Sequence, residues 1–550
     1  MILHRSSSML NFYRLSSPPK VLSKLFRGFA TASAVEADKK GSNDTFFSDD
    51  NVSWKYLGLS DRLACALENS GFGRPSLVQA ASIGPILSGK DVVVAAETGS
   101  GKTHSYLIPL IDKLCGARDG SENTNSERAL TTLDGLSLVL CPNVLLCEQV
   151  ARMANGLFGD NGEPLLRAAA ICGRQGWPVD KPDIIVSTPA ALLNNIDPKK
   201  HRRLDFIRGV KYVVFDEADM LLCGSFQNQV IRLIHMLRFD EKQLSQMNKS
   251  GSEKHVEVID GSLSHSDMED EENLQNEYIS EREENSEDDC DDKDLLEETK
   301  PGSIEKKGWR RVKKTYERSK QYIFVAATLP LNGKKTAGAV LKHMFPDAIW
   351  VNGNFLHCHN PRLKQKWIDV TVDTQVDALI KAVNERLGSG ADVSRTMVFA
   401  NTVEAVEAVA KILETAGIEC YRYHKDLSLE ERASTIVNFQ EGGGIFVCTD
   451  AAARGVDIPN VSHVIQADFA TSAVDFLHRV GRTARAGQYG LVTSLYTESN
   501  RALVDAIRQA GKLGQPVETA FSRKRGFRNK LKKKAFNKVR DTPTVELSRV

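Results

Sequence analysis

The 550-residue chain carries 72 Lys and Arg against 71 Asp and Glu, and 41% of it is hydrophobic, enough for two or three packed domains. Its formal charge of +1 conceals two opposed segments: residues 251–300 hold twenty acids against four bases, and 521–540 hold ten bases and no acid. Ten cysteines without a C-x-x-C pair argue against a disulfide framework or zinc site, His357-Cys358-His359 is too tightly spaced to close a metal site, and no apolar run reaches the ~20 residues of a membrane span.

Residues 1–35 contain seven serines with Arg5, Arg14, Lys20, Lys24 and Arg27, and no acid. This composition resembles an organellar transit peptide, plastid first because serine is abundant, mitochondrion second; an ordinary disordered tail is the alternative. Residues 1–49 are expected to be this disordered lead. Folded sequence then starts near Asp50, with Trp54, a helix-like stretch Leu59–Leu67, and the run Gly71-Phe72-Gly73-Arg74-Pro75-Ser76-Leu77-Val78-Gln79.

The stretch that organises the chain is Asp91–Thr103, DVVVAAETGSGKT. Val92–Ala96 predict a short buried parallel strand, Thr98-Gly99-Ser100-Gly101 a glycine loop, and Tyr106–Leu114 a helix. Such a loop points backbone N–H groups at a phosphate, reinforced by the helix N-terminus. Lys102 adds a point charge for the β/γ-phosphates, and the Thr103 hydroxyl is placed to ligate Mg²⁺. Ala96 stands where the general pattern has its first glycine. The chain is thus expected to bind a nucleoside triphosphate.

Apolar runs at Leu136–Cys141, Leu166–Ile171, Ile184–Ser187, Lys211–Phe215 and Tyr322–Ala327 alternate with helix-length segments, an α/β pattern with a mostly parallel sheet. The fourth run ends in Asp216-Glu217-Ala218-Asp219, at the sheet edge where ligands bind. Asp216 can hold Mg²⁺, and Glu217 can orient and deprotonate an attacking water. About a hundred residues separate Asp219 from the next strand, and the acidic surplus, about 245–305, is expected to be a disordered insertion, either solvating only or recruiting a protein partner. The basic Lys306–Lys314 patch follows it. A linker over 352–365 precedes a second series at Trp367–Val372, Thr396–Ala400, Ile445–Thr449, Val461–Ile465 and Leu491–Tyr496. The expected domains are 50–351 and 366–512, then a basic tail, 513–550, with Phe521, Phe527 and Phe536 interleaved; the tail reads as an electrostatic tether to nucleic acid, with nuclear localisation as a rival.

Taken together these motifs resemble the DEAD-box RNA helicases of superfamily 2, plant organellar members in particular. The resemblance covers roughly residues 54–510 and implies an α/β fold of two tandem RecA-like domains with parallel sheets, a monomer without membrane attachment, ATP with Mg²⁺, and RNA as partner, with ribosomal or intron RNA the organellar candidates. It further implies that Trp54 stacks on the adenine, that Gln79 reads the base edge, and that Asp457 bonds the ribose. His478-Arg479-Val480-Gly481-Arg482-Thr483-Ala484-Arg485 resembles motif VI; arginines three apart on a helix share a face, so Arg482 and Arg485 would reach one phosphate as fingers from the second domain. Thr188, Asn401, Thr402 and Thr449 fall at RNA-binding positions. The match departs from the family where Asn143-Val144-Leu145 replaces Thr-Arg-Glu, Ala190-Ala191 replaces Gly-Arg, Lys425 replaces Gly and Ala326 replaces Ser. The expected activity is ATP-driven local unwinding of RNA, the rival an ATP-gated RNA clamp with little unwinding.

Overall fold

Thirteen strands among the described residues form two separate, wholly parallel sheets. The computed structural model describes residues 46–122, 135–159, 162–172, 181–196, 206, 209–223, 226–250, 319–329, 336–353, 356, 360–387, 394–453 and 458–521. Both sheets fall in one compact unit. Residues 1–45, the acidic 251–300, Lys306–Lys314, His357–His359, Asp457 and the tail from 522 onward lie outside the described residues.

The first sheet comprises β1 (Val92–Ala95), β2 (Leu136–Leu140), β3 (Ala168–Ile171), β4 (Ile184–Ser187), β5 (Val210–Asp216), β6 (Gln321–Ala326) and β7 (Ile349–Asn352), in the order β3-β4-β2-β5-β6-β1-β7. Strands β1, β2, β4 and β6 are buried along their whole length, as a parallel sheet covered on both faces requires. Side chains alternate across it: Val92, Val94 and Ala96 enter one core, Val93 and Ala95 the other. The second sheet comprises β8 (Leu363–Asp369), β9 (Arg395–Ala400), β10 (Tyr421–Tyr423), β11 (Gly444–Thr449), β12 (His463–Gln466) and β13 (Gly490–Tyr496), in the order β10-β11-β9-β12-β13-β8. Met397, Phe399 and Val464 face one core there, and Val398, Ala400 and Ile465 the other.

The central order β5-β6-β1 sets three strand ends side by side: Asp216 closing β5, Thr328 just beyond β6, and the glycine loop after β1. Four expectations change. Strand β8 begins at Leu363, inside the expected linker, because its register with β13 starts at Gly490. Residues 245–250 remain in the helix Gln227–Ser250, so the expected insertion starts too early. The second domain extends past 512, since Val517, Ala520 and Phe521 of the last described turn pack into its core, Phe521 with its ring 6.0 Å from Phe476. Phe46–Ser48 belong to the fold: Phe47 bridges Ser76, Ser48 N–H donates to Pro75 O, and Leu77 N–H donates to Phe46 O.

Candidate functional site

The glycine loop forms as its residues dictate. Gly99 and Gly101 adopt φ of +82° and +89°, left-handed conformations that glycine reaches at least cost. Lys102 opens the helix Lys102–Glu122 and donates from Nζ to the Glu97 carbonyl (2.8 Å). Burial pushes the Lys102 ammonium down to about 8, against the pull of Glu97 and Asp216. Thr103 lies half-buried in the first helical turn.

The paired acids stand beside this loop. Asp216 is 4% exposed, and burial, then the Glu217 charge, push its carboxyl up to about 6. Its Oδ2 accepts from the Tyr106 hydroxyl (2.8 Å) and its Oδ1 from the Glu217 backbone N–H (2.9 Å). Burial, then Asp216, keep the Tyr106 phenol well above its ordinary range, so it remains a donor. Glu217 sits at φ +52°, ψ +49°, strained for a side chain of its size. Buried oxygens of both Glu217 and Glu97, the Oε2 atoms, have no hydrogen-bond partner among the described residues.

Ser76 and Gln79 tie the neighbouring loop to this one. They form a reciprocal cap at the start of the helix Leu77–Leu87, Gln79 Oε1 accepting from Ser76 N–H (2.8 Å). Ser76 Oγ donates to Ser100 O (2.8 Å), and Gln79 Nε2 to Gly101 O (3.3 Å). The expectation that Trp54 stacks on a base is corrected: Trp54 is 2% exposed, a core residue whose indole N–H donates to Phe72 O (2.7 Å). Trp54 therefore props the segment, and the half-buried aromatic presented beside the loop is Phe72, its ring 4.7 Å from His104.

The second sheet meets this constellation. Thr98 Oγ1 donates to Gly481 O (2.8 Å), and a Cβ on Gly481 would overlap Thr98 Oγ1. Arg485 lies on the glycine loop; a Cβ on Gly99 would lie 2.6 Å from its Cγ. The shared helix face expected for Arg482 and Arg485 is not found. The helix Ala473–Val480 stops at Gly481, and Arg485 sits in a turn between Ala484 (φ +54°) and Ala486 (φ +48°). Arg482 is buried, close enough to Cys448 to temper the upward push of burial on that thiol. A second bridge joins His478 Nε2 to Asp219 Oδ2 (3.3 Å), which also accepts from Thr328 N–H (3.2 Å) and from the Thr328 hydroxyl. Burial acts to raise the Asp219 carboxyl, but the His478 and Thr328 hydrogen bonds outweigh it and hold it low.

The expected RNA-side residues are employed within the fold. Thr188 and Thr402 cap the helices Pro189–Asn195 and Val403–Thr415, accepting from Ala191 N–H (3.3 Å) and Ala405 N–H (3.2 Å). Asn401 Oδ1 accepts from Arg479 (2.6 Å) and its Nδ2 donates to Phe469 O (3.2 Å). Arg479, fully buried, also grips Asp450 through two bonds of 2.7 and 2.6 Å. Thr449 is buried beside it at the end of β11, in register with Ala400. Val144 is exposed, and Leu145 packs against the core of the second sheet.

Sequence reading passed over Phe72, Tyr106, His478 and Arg479. The last two lie inside the motif that carried Arg482 and Arg485, and that was their available signal. Tyr106 had none beyond its place four residues after Lys102.

Comparison with known proteins places these features in company. The DEAD/DEAH box helicase model matches residues 76–251 and the helicase conserved C-terminal domain model residues 375–487. The chain is 65% identical over 536 residues to "DEAD-box ATP-dependent RNA helicase 22" of Arabidopsis thaliana, covering 96% of this chain and 91% of that protein. It is 59% identical over 508 residues to the protein of the same name in Oryza sativa subsp. japonica, covering 90% and 86%. Among solved structures it resembles the helicase Mss116 bound to ssRNA and UDP-BeF (TM-score 0.60, 18% identity, 88% of this chain and 83% of that one) and S. cerevisiae Dbp5 bound to RNA and ADP BeF3 (0.57, 18%, 88% and 99%); at that identity the likeness is one of fold.

Proposed function

Because the chain belongs to the DEAD-box ATP-dependent RNA helicases, enzymes that hydrolyse ATP and act on RNA, we propose that hydrolysis occurs where the loop after β1, the acid end of β5 and the Gly481–Arg485 turn meet. The observation that carries this reading is the seating of Gly481 and Arg485 of the second sheet on Thr98 and Gly99 of the first.

Lys102 and the loop amides hold the β- and γ-phosphates; to do so Lys102 exchanges its bond to the Glu97 carbonyl for one to phosphate. Phe72 offers the base a stacking face, and Gln79 the base edge its amide. Glu217, through its unpartnered Oε2, orients the water and takes its proton as the water oxygen bonds to the γ-phosphorus, and ADP leaves as the bond to its β-phosphate oxygen breaks. Arg485, and Arg482 once the turn adjusts, stabilise the transferred charge. The donor set of Asp216 and Thr103 fits Mg²⁺, which favours one or two hard protein oxygens beside phosphates. Bound there, the ion would neutralise phosphate charge.

RNA phosphates would meet backbone N–H groups at the helix starts after Asn143 and Thr188, where arginines are missing, and after Thr402. For the cellular role, the acid-free, serine-rich residues 1–35 support import into an organelle, plastid before mitochondrion, and hence action on organellar ribosomal or intron RNA; a fluorescent fusion of residues 1–50 that stays cytosolic would exclude it. The acidic 251–300 segment would recruit a protein partner and the chain would act as a monomer.

The test of the core reading is ATP turnover by the full chain with and without RNA, beside Glu217→Gln. RNA-stimulated turnover that falls by about a thousandfold in the variant is expected. Turnover indifferent to the substitution would remove Glu217 from the chemistry, and turnover indifferent to RNA would favour the ATP-gated clamp.

A further inference from the structure

Tyr106 is among the largest fully buried side chains in the protein, and its ring is packed in the core beneath the first sheet. Packing of that kind leaves the hydroxyl little choice of position. The hydroxyl is directed at one atom, Oδ2 of Asp216, at 2.8 Å. Tyr106 lies four residues after Lys102 and three after Thr103 in the same helix, so it sits one turn below both on the side of the helix they flank. One side of one helix thus carries the phosphate lysine, the hydroxyl and the phenol.

A carboxylate at a strand end can rotate about χ2, and metal binding needs it in one orientation. Here each oxygen has its own donor: Glu217 N–H on Oδ1 (2.9 Å) and Tyr106 Oη on Oδ2. The first donor belongs to the chain itself, in a strained residue, and every amino acid but proline would supply it. The second is a side chain, so it depends on the residue chosen at 106. We propose that Tyr106 is a positioning residue for the metal site of Asp216 and Thr103, fixing the Asp216 carboxylate from behind so that its remaining lone pairs face the phosphate loop. Phenylalanine at 106 would fill the same volume and leave the carboxylate held on one oxygen only.

This rests on the assignment of Asp216 as a metal ligand, and the experiment separates the two claims. Mn²⁺ binding is followed by electron paramagnetic resonance on the full-length chain with a non-hydrolysable ATP analogue, for wild type, Tyr106→Phe and Asp216→Asn. Thermal unfolding of each without metal shows that it is folded. The expected result is an Mn²⁺ dissociation constant raised about tenfold in Tyr106→Phe, an altered spectrum of the bound ion, and unchanged affinity for the analogue measured without metal. A variant that binds Mn²⁺ with wild-type affinity and spectrum, while Asp216→Asn loses it, overturns the role of Tyr106 alone. Wild-type binding by Asp216→Asn overturns the metal assignment beneath it. If Tyr106→Phe does not fold, Tyr106→Gln and Tyr106→Met take its place, and equal weakening by the donor and by the non-donor of comparable bulk would refute positioning through the hydroxyl.

Discussion

The proposed nucleotide side and the proposed RNA side of this protein handle their polar groups in opposite ways. Beside the glycine loop, polar atoms are left open: Oε2 of Glu97 and of Glu217 have no hydrogen-bond partner among the described residues, and burial pushes Asp216 up to about 6 and Lys102 down to about 8. At the expected RNA-side positions Thr188, Asn401 and Thr402 the polar side chains are committed inward. Thr188 and Thr402 cap helices, Asn401 and Asp450 hold Arg479, and Val144 and Leu145 replace charge with apolar surface. An unsatisfied, strained cluster is held in readiness for a ligand that completes it, whereas on the proposed reading a satisfied one would contribute to RNA binding mainly through backbone.

The strongest way to break this contrast is Gly481→Ala. Its methyl would collide with Thr98 Oγ1 and come within 3.0 Å of Leu477 O, so the Arg485 turn would be displaced from Gly99. The expected outcome is a kcat lowered about a hundredfold with little change in the KM for ATP, read from steady-state kinetics. A kcat within threefold of wild type would mean the two sheets need not approach this closely.

A second comparison uses pH. With Asp216 in the proposed metal role and Lys102 in the proposed phosphate role, kcat/KM should fall about tenfold per unit below about pH 6 and again above about pH 8. The stability sign is the reverse for the acid. Asp216 moves from 3.8 in the unfolded chain to about 6 in the folded one, so its protonated form stabilises the fold below about pH 3.8 and that contribution is lost as pH rises through about 6. Asp216→Asn should therefore raise Tm at pH 7 in the metal-free protein while abolishing turnover; a lowered Tm would contradict the strain assigned to this site.

The smallest effect is expected on the RNA side. Thr188→Ala removes a helix cap, about 1 kcal/mol of stability, and should lower Tm by a few degrees. RNA affinity at constant salt should change less than threefold, because the backbone N–H groups remain. A loss of tenfold or more would return Thr188 to a direct side-chain contact.

What the sequence disclosed was whatever is local. The β-branched run before Gly99 and Gly101 and the apolar strand before Asp216 both form as read, because strand, turn and helix signals there agree over a few residues. Strands β7 and β10 escaped notice: they are sheet edges of four and three residues, only partly buried, without a long apolar run. The end of a helix at Val480 escaped although Gly481 stands at its C-cap, and nothing in Thr483-Ala484-Arg485-Ala486 announces two alanines at positive φ. Trp54 and Phe72 were exchanged because which of two nearby aromatics is buried depends on the indole bond to Phe72 O, a contact across 18 residues. The His478–Asp219 bridge spans 259 residues and has no local signature at all.

Single-turnover hydrolysis by Arg485→Ala at saturating ATP and RNA tests whether one hydrolysis site is built from both sheets. The predicted result is a rate lowered about a thousandfold with ATP affinity retained within threefold, since Arg485 acts on charge that develops only during transfer. Hydrolysis at the wild-type rate would contradict it, and would confine the chemistry to the first sheet.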